Sequence, residues 1–252
     1  MSDSTIVLIT GANSGIGYAT TQLLASQPKH HVIMACRDVS KGQQALTEIQ
    51  NSSDKIQGTL SVLQLDVTDD SSIAAAVETV RQQFGRVDAF ISNAGTLALQ
   101  SSGRAQLREM FDANVFGALL VSEAFIPLLL QSARPYLVQV SSALGSVGLA
   151  SDPNDTWYAT AWYEYRMTKA ALNMATIQFH KRLSAQNVRV FAFCPGLVRS
   201  KIRGDSEEAI TAQGAAGDPI DSAKGLVDIV QGRRDAEAGQ FLRTDGSGSW
   251  PW

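Results

Sequence analysis

Short β-branched runs alternate with helix-period segments along this chain, and that alternation restricts its fold more than any other feature. Strands separated by helices pair in parallel, with the helices crossing over both faces of the sheet. The expected class is therefore α/β, a doubly wound parallel sheet. Strand candidates lie at 5–10, 31–36, 60–65, 88–92, 136–141, 188–193 and 239–243. The longest helix candidates run from Arg104 to about Gln131, bent or ended near Pro127, and from about Tyr158 to Leu183. Stretches rich in Gly, Asp, Ser and Pro occupy 145–156 and 198–219. Both leave the carboxyl ends of strands, where open α/β sheets bind ligands, so substrate loops are expected near 143–160 and 197–219.

The 252 residues, 44% hydrophobic and 18% charged, supply a core for one such sheet, and no composition break divides them. A single domain over 1–252 is expected. A formal charge of −3 offers no basic face for nucleic acid or an anionic membrane, which points to a small-molecule partner. Cys36 and Cys194 lie 158 positions apart and are expected to be reduced. The start MSDSTIVLIT lacks a basic leader, and the apolar run at 125–130 is interrupted by Pro127 and shorter than a membrane span. A cytoplasmic protein is expected, with no metal site.

The first strand runs into Thr10-Gly11-Ala12-Asn13-Ser14-Gly15-Ile16-Gly17 and then a helix at 18–26. Glycines at 11, 15 and 17 permit a tight turn and close backbone approach to a pyrophosphate, while the helix start supplies free N–H groups and positive potential. A plain glycine-rich turn is the alternative, and the strand–glycine–helix order disfavours it. The second strand ends Cys36-Arg37-Asp38. An acidic residue there would bond a ribose hydroxyl, whereas Arg37 can pair with a 2′-phosphate, which favours NADP (NADPH). The alternatives for Arg37 are a solvated charge or a pair with Asp38.

Tyr165-Arg166-Met167-Thr168-Lys169 places a phenol and an ammonium one helical turn apart on one face. A neighbouring cation favours phenolate, so Lys169 is expected to pull Tyr165 down from about 10, as a tyrosine acid/base requires. The bland reading is a Tyr and a Lys flanking a core face. Asn114 alone reads as a buried polar kink in a long helix, and Asn93-Ala94-Gly95 as a strand-end turn.

Together, Thr10-Gly-x-x-x-Gly-x-Gly17, Asp66-Val67, Asn93-Ala94-Gly95, Asn114, Ser142, Tyr165-x-x-x-Lys169 and Pro195-Gly196 resemble the short-chain dehydrogenase/reductase family over nearly the whole chain. Within the family it resembles carbonyl reductases and fungal ketoreductase-like members, the latter through the tail Asp245-Gly-Ser-Gly-Ser-Trp-Pro-Trp252. The resemblance implies a Rossmann-type fold and a homodimer or homotetramer built through the two long helices. It also implies a keto reductase in which Tyr165 donates a proton as hydride arrives, Lys169 lowers its pKa and bonds the nicotinamide ribose, Ser142 steadies the alkoxide and Asn114 holds a relay water. Cofactor contacts would come from Gly11, Asn13, Ser14, Gly15, Ile16, Gly17, Arg37, Asp66, Val67, Asn93, Ala94, Gly95, Tyr165, Lys169, Pro195, Gly196, Val198 and Ser200. The residues themselves do not choose between Ser141 and Ser142; the family pattern, with Gly145 three positions on, selects Ser142.

Ser92 and Ser200 depart from the family's usual Asn and Thr, and Ser14 is not basic where many NADP-using members are. The 23 positions from Ser142 to Tyr165 leave an extra loop, which carries Trp157, Tyr158, Trp162 and Tyr163. Trp157 and Trp162, with Ser142 and Tyr165, are the expected substrate contacts, favouring bulky or aromatic carbonyls. A non-catalytic dinucleotide-binding regulator on the same fold is the alternative, disfavoured by the complete Asn114, Ser142, Tyr165, Lys169 set. A methyltransferase of related fold explains the glycine loop but not Tyr165-x-x-x-Lys169.

Overall fold

The computed structural model describes residues 4–52 and 55–252. Strand β1 (Thr5–Thr10) leads to helix α1 (Gly15–Ala25), then β2 (His30–Cys36), α2 (Val39–Asn51), β3 (Thr59–Gln64), α3 (Asp70–Gln83) and β4 (Ala89–Ser92). Next come α4 (Gly103–Phe111), a π-helical turn (Asp112–Gly117) and α5 (Ala118–Leu129), continuous with one another. After β5 (Tyr136–Val140) follow short α6 (Val147–Ser151), long α7 (Tyr163–Leu183), β6 (Arg189–Cys194), short α8 (Glu207–Ile210), α9 (Pro219–Val230) and β7 (Phe241–Arg243).

The strands form one seven-stranded sheet in the order β3-β2-β1-β4-β5-β6-β7. Every neighbouring pair is parallel. Alternate residues of each strand feed opposite faces. Val7, Ile9, Val32 and Met34 meet Leu24 of α1, Ile49 of α2 and Leu226 of α9. Ile6, Leu8, Phe90 and Leu137 meet Val80 of α3, Phe125 of α5 and Phe179 of α7. Because both faces are covered, the strands read as nearly continuous apolar runs.

The sequence expectations differ from the structure mainly at element ends. Helix α1 starts at Gly15, itself left-handed with φ 53°, rather than at Tyr18, so the last glycine of the loop, Gly17, lies within its first turn. Helix α7 starts at Tyr163 rather than Tyr158, since 152–162 is loop. The helix is not stopped at Pro127, which sits inside α5 two residues before its end. Contrary to the reading of its apolar runs, Gly103–Leu129 is long and apolar enough to cross a membrane by length and composition; half of its most apolar window is buried within the protein. The 198–219 stretch is less irregular than expected: it holds α8 and a bridge between Val198 and Gly217. Cys36 and Cys194 are free, as expected, and both are buried.

Phe125 is fully buried between α5 and the sheet, its ring 5.8 Å from that of Phe90. Phe125→Ala is expected to cost about 3–5 kcal/mol by lost burial and cavity formation, read as a lower urea midpoint with little change in slope.

Candidate active site

The order of the strands reverses between β1 and β4, and the crevice at their carboxyl ends is where such sheets take ligands. The turn after β1 occupies it. Gly11 has φ 65°, a left-handed conformation that favours glycine. A Cβ on Gly17 would lie 2.4 Å from the Gly11 carbonyl oxygen, so only glycine lets α1 start this close to the strand end. The Thr10 hydroxyl accepts the N–H groups of Asn93 and Ala94 at 2.9 and 3.0 Å, and Asn93 Nδ2 donates back to the Thr10 carbonyl at 2.9 Å. These bonds hold the Asn93-Ala94-Gly95 turn beside the glycine loop.

Ser14 stands at the N-cap of α1 but makes no side-chain cap, which leaves the helix's first donors for a ligand. A cavity of about 480 Å³ opens here. Gly11, Asn13, Ser14, Arg37, Asp66, Val67, Ala94 and Gly95 line it. This cradle, too tight for a Cβ at Gly17 and presenting an uncapped helix start, fits a dinucleotide. Asp38 caps α2 through the Lys41 N–H at 3.1 Å, and Arg37 lies exposed at the cavity's edge. Asp66 is braced by both the N–H and the hydroxyl of Thr68. Beyond β6, Gly196 turns with φ 76°, and Ser200 lies against the glycine loop, its Cβ 3.7 Å from where one on Gly15 would be. Ile16 packs against the core beside that loop, and Val198 is buried in its bridge to Gly217.

The second half of the site is built where α7 meets the end of β5. Lys169 is 4% exposed; its Nζ donates to the Val140 carbonyl at 2.8 Å and lies 5.6 Å from the centre of the Tyr165 ring. The Tyr165 phenol lies close enough to the Ser142 hydroxyl to be influenced by it. Ser142 Oγ accepts the Leu144 N–H at 3.2 Å, leaving its own proton available to donate. Ser141 points elsewhere, donating to Asn173 Oδ1 at 2.5 Å. Asn114, fully buried in the π-helical turn, accepts from the Thr96 N–H and donates to the Thr96 carbonyl and to Thr168 Oγ1. Both of its amide hydrogens are thus spent, so a water there would find only lone pairs.

The electrostatics correct one expectation. The Tyr165 phenol is raised, not lowered: burial dominates, a nearby Cys194 adds to it, and the opposing influences are the Arg203 charge and the Ser142 hydrogen bond. Lys169 exerts no such pull because its ammonium is turned to the Val140 carbonyl and is itself brought down by burial to about 8. Arg203 carried no sequence signal. It clasps the 198–210 segment through the Ala209, Val198 and Ile210 carbonyls.

Of the loop aromatics, Trp162 meets Tyr165 edge-on at 6.5 Å; Trp162, Tyr158 and Tyr163 are all exposed. Trp162 has a left-handed backbone, φ 57°, unusual for so bulky a residue. Trp157 is partly buried, and its carbonyl and that of Thr160 accept from the Arg166 guanidinium.

The short chain dehydrogenase family model matches residues 5–211. The short-chain dehydrogenase/reductase tropE of Talaromyces stipitatus is 30% identical over 98% of this chain and 97% of its own length. The short-chain dehydrogenase anuI of Penicillium roqueforti is 34% identical over 83% and 85%. The solved structure of NADPH-bound carbonyl reductase from chicken fatty liver superposes with a TM-score of 0.81 at 26% identity, covering 99% of both chains. Fold and site define an oxidoreductase that binds a nicotinamide dinucleotide and acts on carbonyl and alcohol groups. The chain belongs to the short-chain dehydrogenase family.

Lys169 falls from an ordinary 10.5 to about 8 on folding, so between those values the unfolded chain holds a proton that the folded chain has lost. Burying Lys169 therefore opposes folding in full below about pH 8 and progressively less toward 10.5. Relative to Lys169→Met, wild type is expected to gain up to about 3 kcal/mol across that window, measured by urea unfolding. A difference that stays constant with pH would mean the ammonium is not buried.

Proposed function

We propose that this chain is an NADPH-dependent carbonyl reductase of bulky or aromatic ketones, acting as one dinucleotide-binding unit over its length. The observation that carries the reading is the meeting of Ser142, Tyr165 and Lys169 at the sheet's carboxyl edge, beside the glycine cradle. Gly11–Gly17, Asp66-Val67, Asn93–Gly95 and the Pro195–Ser200 turn would hold the dinucleotide in the crevice, where its nicotinamide would supply the hydride. Tyr165, kept protonated by burial, gives its phenolic proton to the substrate oxygen. Ser142, its lone pair occupied by Leu144, donates to the same oxygen as charge builds. Lys169 anchors the helix that carries the phenol and would turn to bond the ribose; Asn114 braces the Thr96 turn and would offer Oδ1 to a relay water.

The assay is NADPH-dependent turnover of 2-tetralone and other aryl ketones against acetone. Tyr165→Phe is expected to remove nearly all turnover while leaving NADPH binding intact, and Ser142→Ala to cost about a hundredfold or more. Trp162 beside Tyr165 supports the preference for large carbonyls. In the same panel, kcat/KM should favour aryl ketones, and Trp157→Ala and Trp162→Ala should erode that advantage. Full activity of Tyr165→Phe would overturn the mechanism and revive the non-catalytic regulator.

Arg37 at the cavity edge supports NADPH over NADH. A charge-assisted pair contributes about 1.5–3 kcal/mol, so Arg37→Ala is expected to weaken NADPH binding by roughly tenfold or more and leave NADH nearly unchanged. Equal losses in titrations of both cofactors would remove the assignment. Exposed Phe116, Leu120, Met167 and Met174 on the two long helices support association with a second copy of the chain.

A further inference from the structure

Helix α7 carries Tyr165, Lys169 and Asn173 four residues apart, one stripe along a single face. Opposite them runs the segment 140–145, and each side chain of the stripe engages a different part of it. Tyr165 approaches the Ser142 hydroxyl, and Lys169 donates to the Val140 carbonyl. Asn173 takes both flanks of Ser142 with one amide: Oδ1 accepts from Ser141 Oγ at 2.5 Å, and Nδ2 donates to the Gly145 carbonyl at 3.2 Å. Ser141 and Asn173 are 2% and 3% exposed, out of a substrate's reach. The segment cannot slide, because a Cβ on Gly145 would already lie 2.6 Å from the Lys169 carbonyl carbon. Ser142 has extended backbone, φ −157° and ψ 143°, so adjacent side chains diverge and holding Ser141 fixes the direction of Ser142.

We propose that Asn173, acting through Ser141 and the Gly145 carbonyl, is the positioning residue that aims the Ser142 hydroxyl at the substrate oxygen. The inference rests on the reading of Ser142 given above. Hydrogen-bond catalysis tolerates little misplacement, and losing the clamp frees the Ser142 turn without removing any group that touches substrate.

The test is a double-mutant cycle on NADPH-dependent reduction of 2-tetralone, or of whichever aryl ketone in the panel is turned over fastest, with NADPH affinity and melting temperature measured in parallel. Asn173→Ala is expected to lower kcat by about tenfold or more while NADPH affinity stays within roughly twofold. Combined with Ser142→Ala, it should add almost nothing. Should Asn173→Ala fail to fold, Ser141→Ala takes its place with the same expectation, and Ser141→Thr, which keeps the hydroxyl, should restore most of kcat. Wild-type kcat in folded Asn173→Ala or Ser141→Ala overturns the inference, as does a loss that multiplies undiminished onto Ser142→Ala. Wild-type turnover in Ser142→Ala overturns the reading of the site itself. A crippled Ser142→Ala beside a silent Asn173→Ala overturns the positioning role alone.

Discussion

The contact on which the site depends is that of α7 with the end of β5, close enough that Gly145 has no room for a methyl group against Lys169. That approach seals an ammonium inside the protein, where it donates to the Val140 carbonyl. Burial is costly for a lone charge, and it brings Lys169 to about 8. The cost is tolerated because the same contact brings Tyr165 to Ser142 and buries the Ser141–Asn173 pair. A looser packing would relieve the lysine and disperse the site.

The dinucleotide side obeys a second closeness constraint. Gly17 lets α1 begin against the Gly11 carbonyl, and Thr10 ties that turn to Asn93 and Ala94 across the reversal in strand order. The two halves adjoin at Gly95. A Cβ there would lie 3.1 Å from Asn114 Oδ1 and 3.9 Å from Lys169 Nζ, so a missing side chain leaves open the space between cradle and lysine.

Much of this was legible in the sequence where a motif is local. The strand alternation foretold the parallel sheet, and the glycine spacing foretold the cradle, because both depend on neighbours in the chain. Tyr165 and Lys169 were visible as an i, i+4 pair; extending that stripe one more turn would have reached Asn173. Ser142 needed the family pattern, since Ser141 has the same chemistry and only the tertiary contact with Asn173 separates them. Arg203 was invisible: it bonds carbonyls, which leave no trace in side-chain identity. The direction of the Tyr165 shift was misread because spacing reports a cation's proximity but not the desolvation that outweighs it.

The π-helical turn Asp112–Gly117 bears on the site in another way. One added residue in a turn puts the sequence on either side out of phase by about 100°. Upstream, Glu109 is presented to the cavity; downstream, Val121 and Phe125 are presented to the sheet. A single uninterrupted stripe would have to serve both surfaces. The number of residues between 112 and 117 is therefore itself a coordinate of the site. A one-residue deletion there would heal the helix and rotate α4 about its axis, carrying the cavity wall away while leaving every core side chain chemically unaltered. In this stretch, chain length is as strictly specified as residue identity is elsewhere.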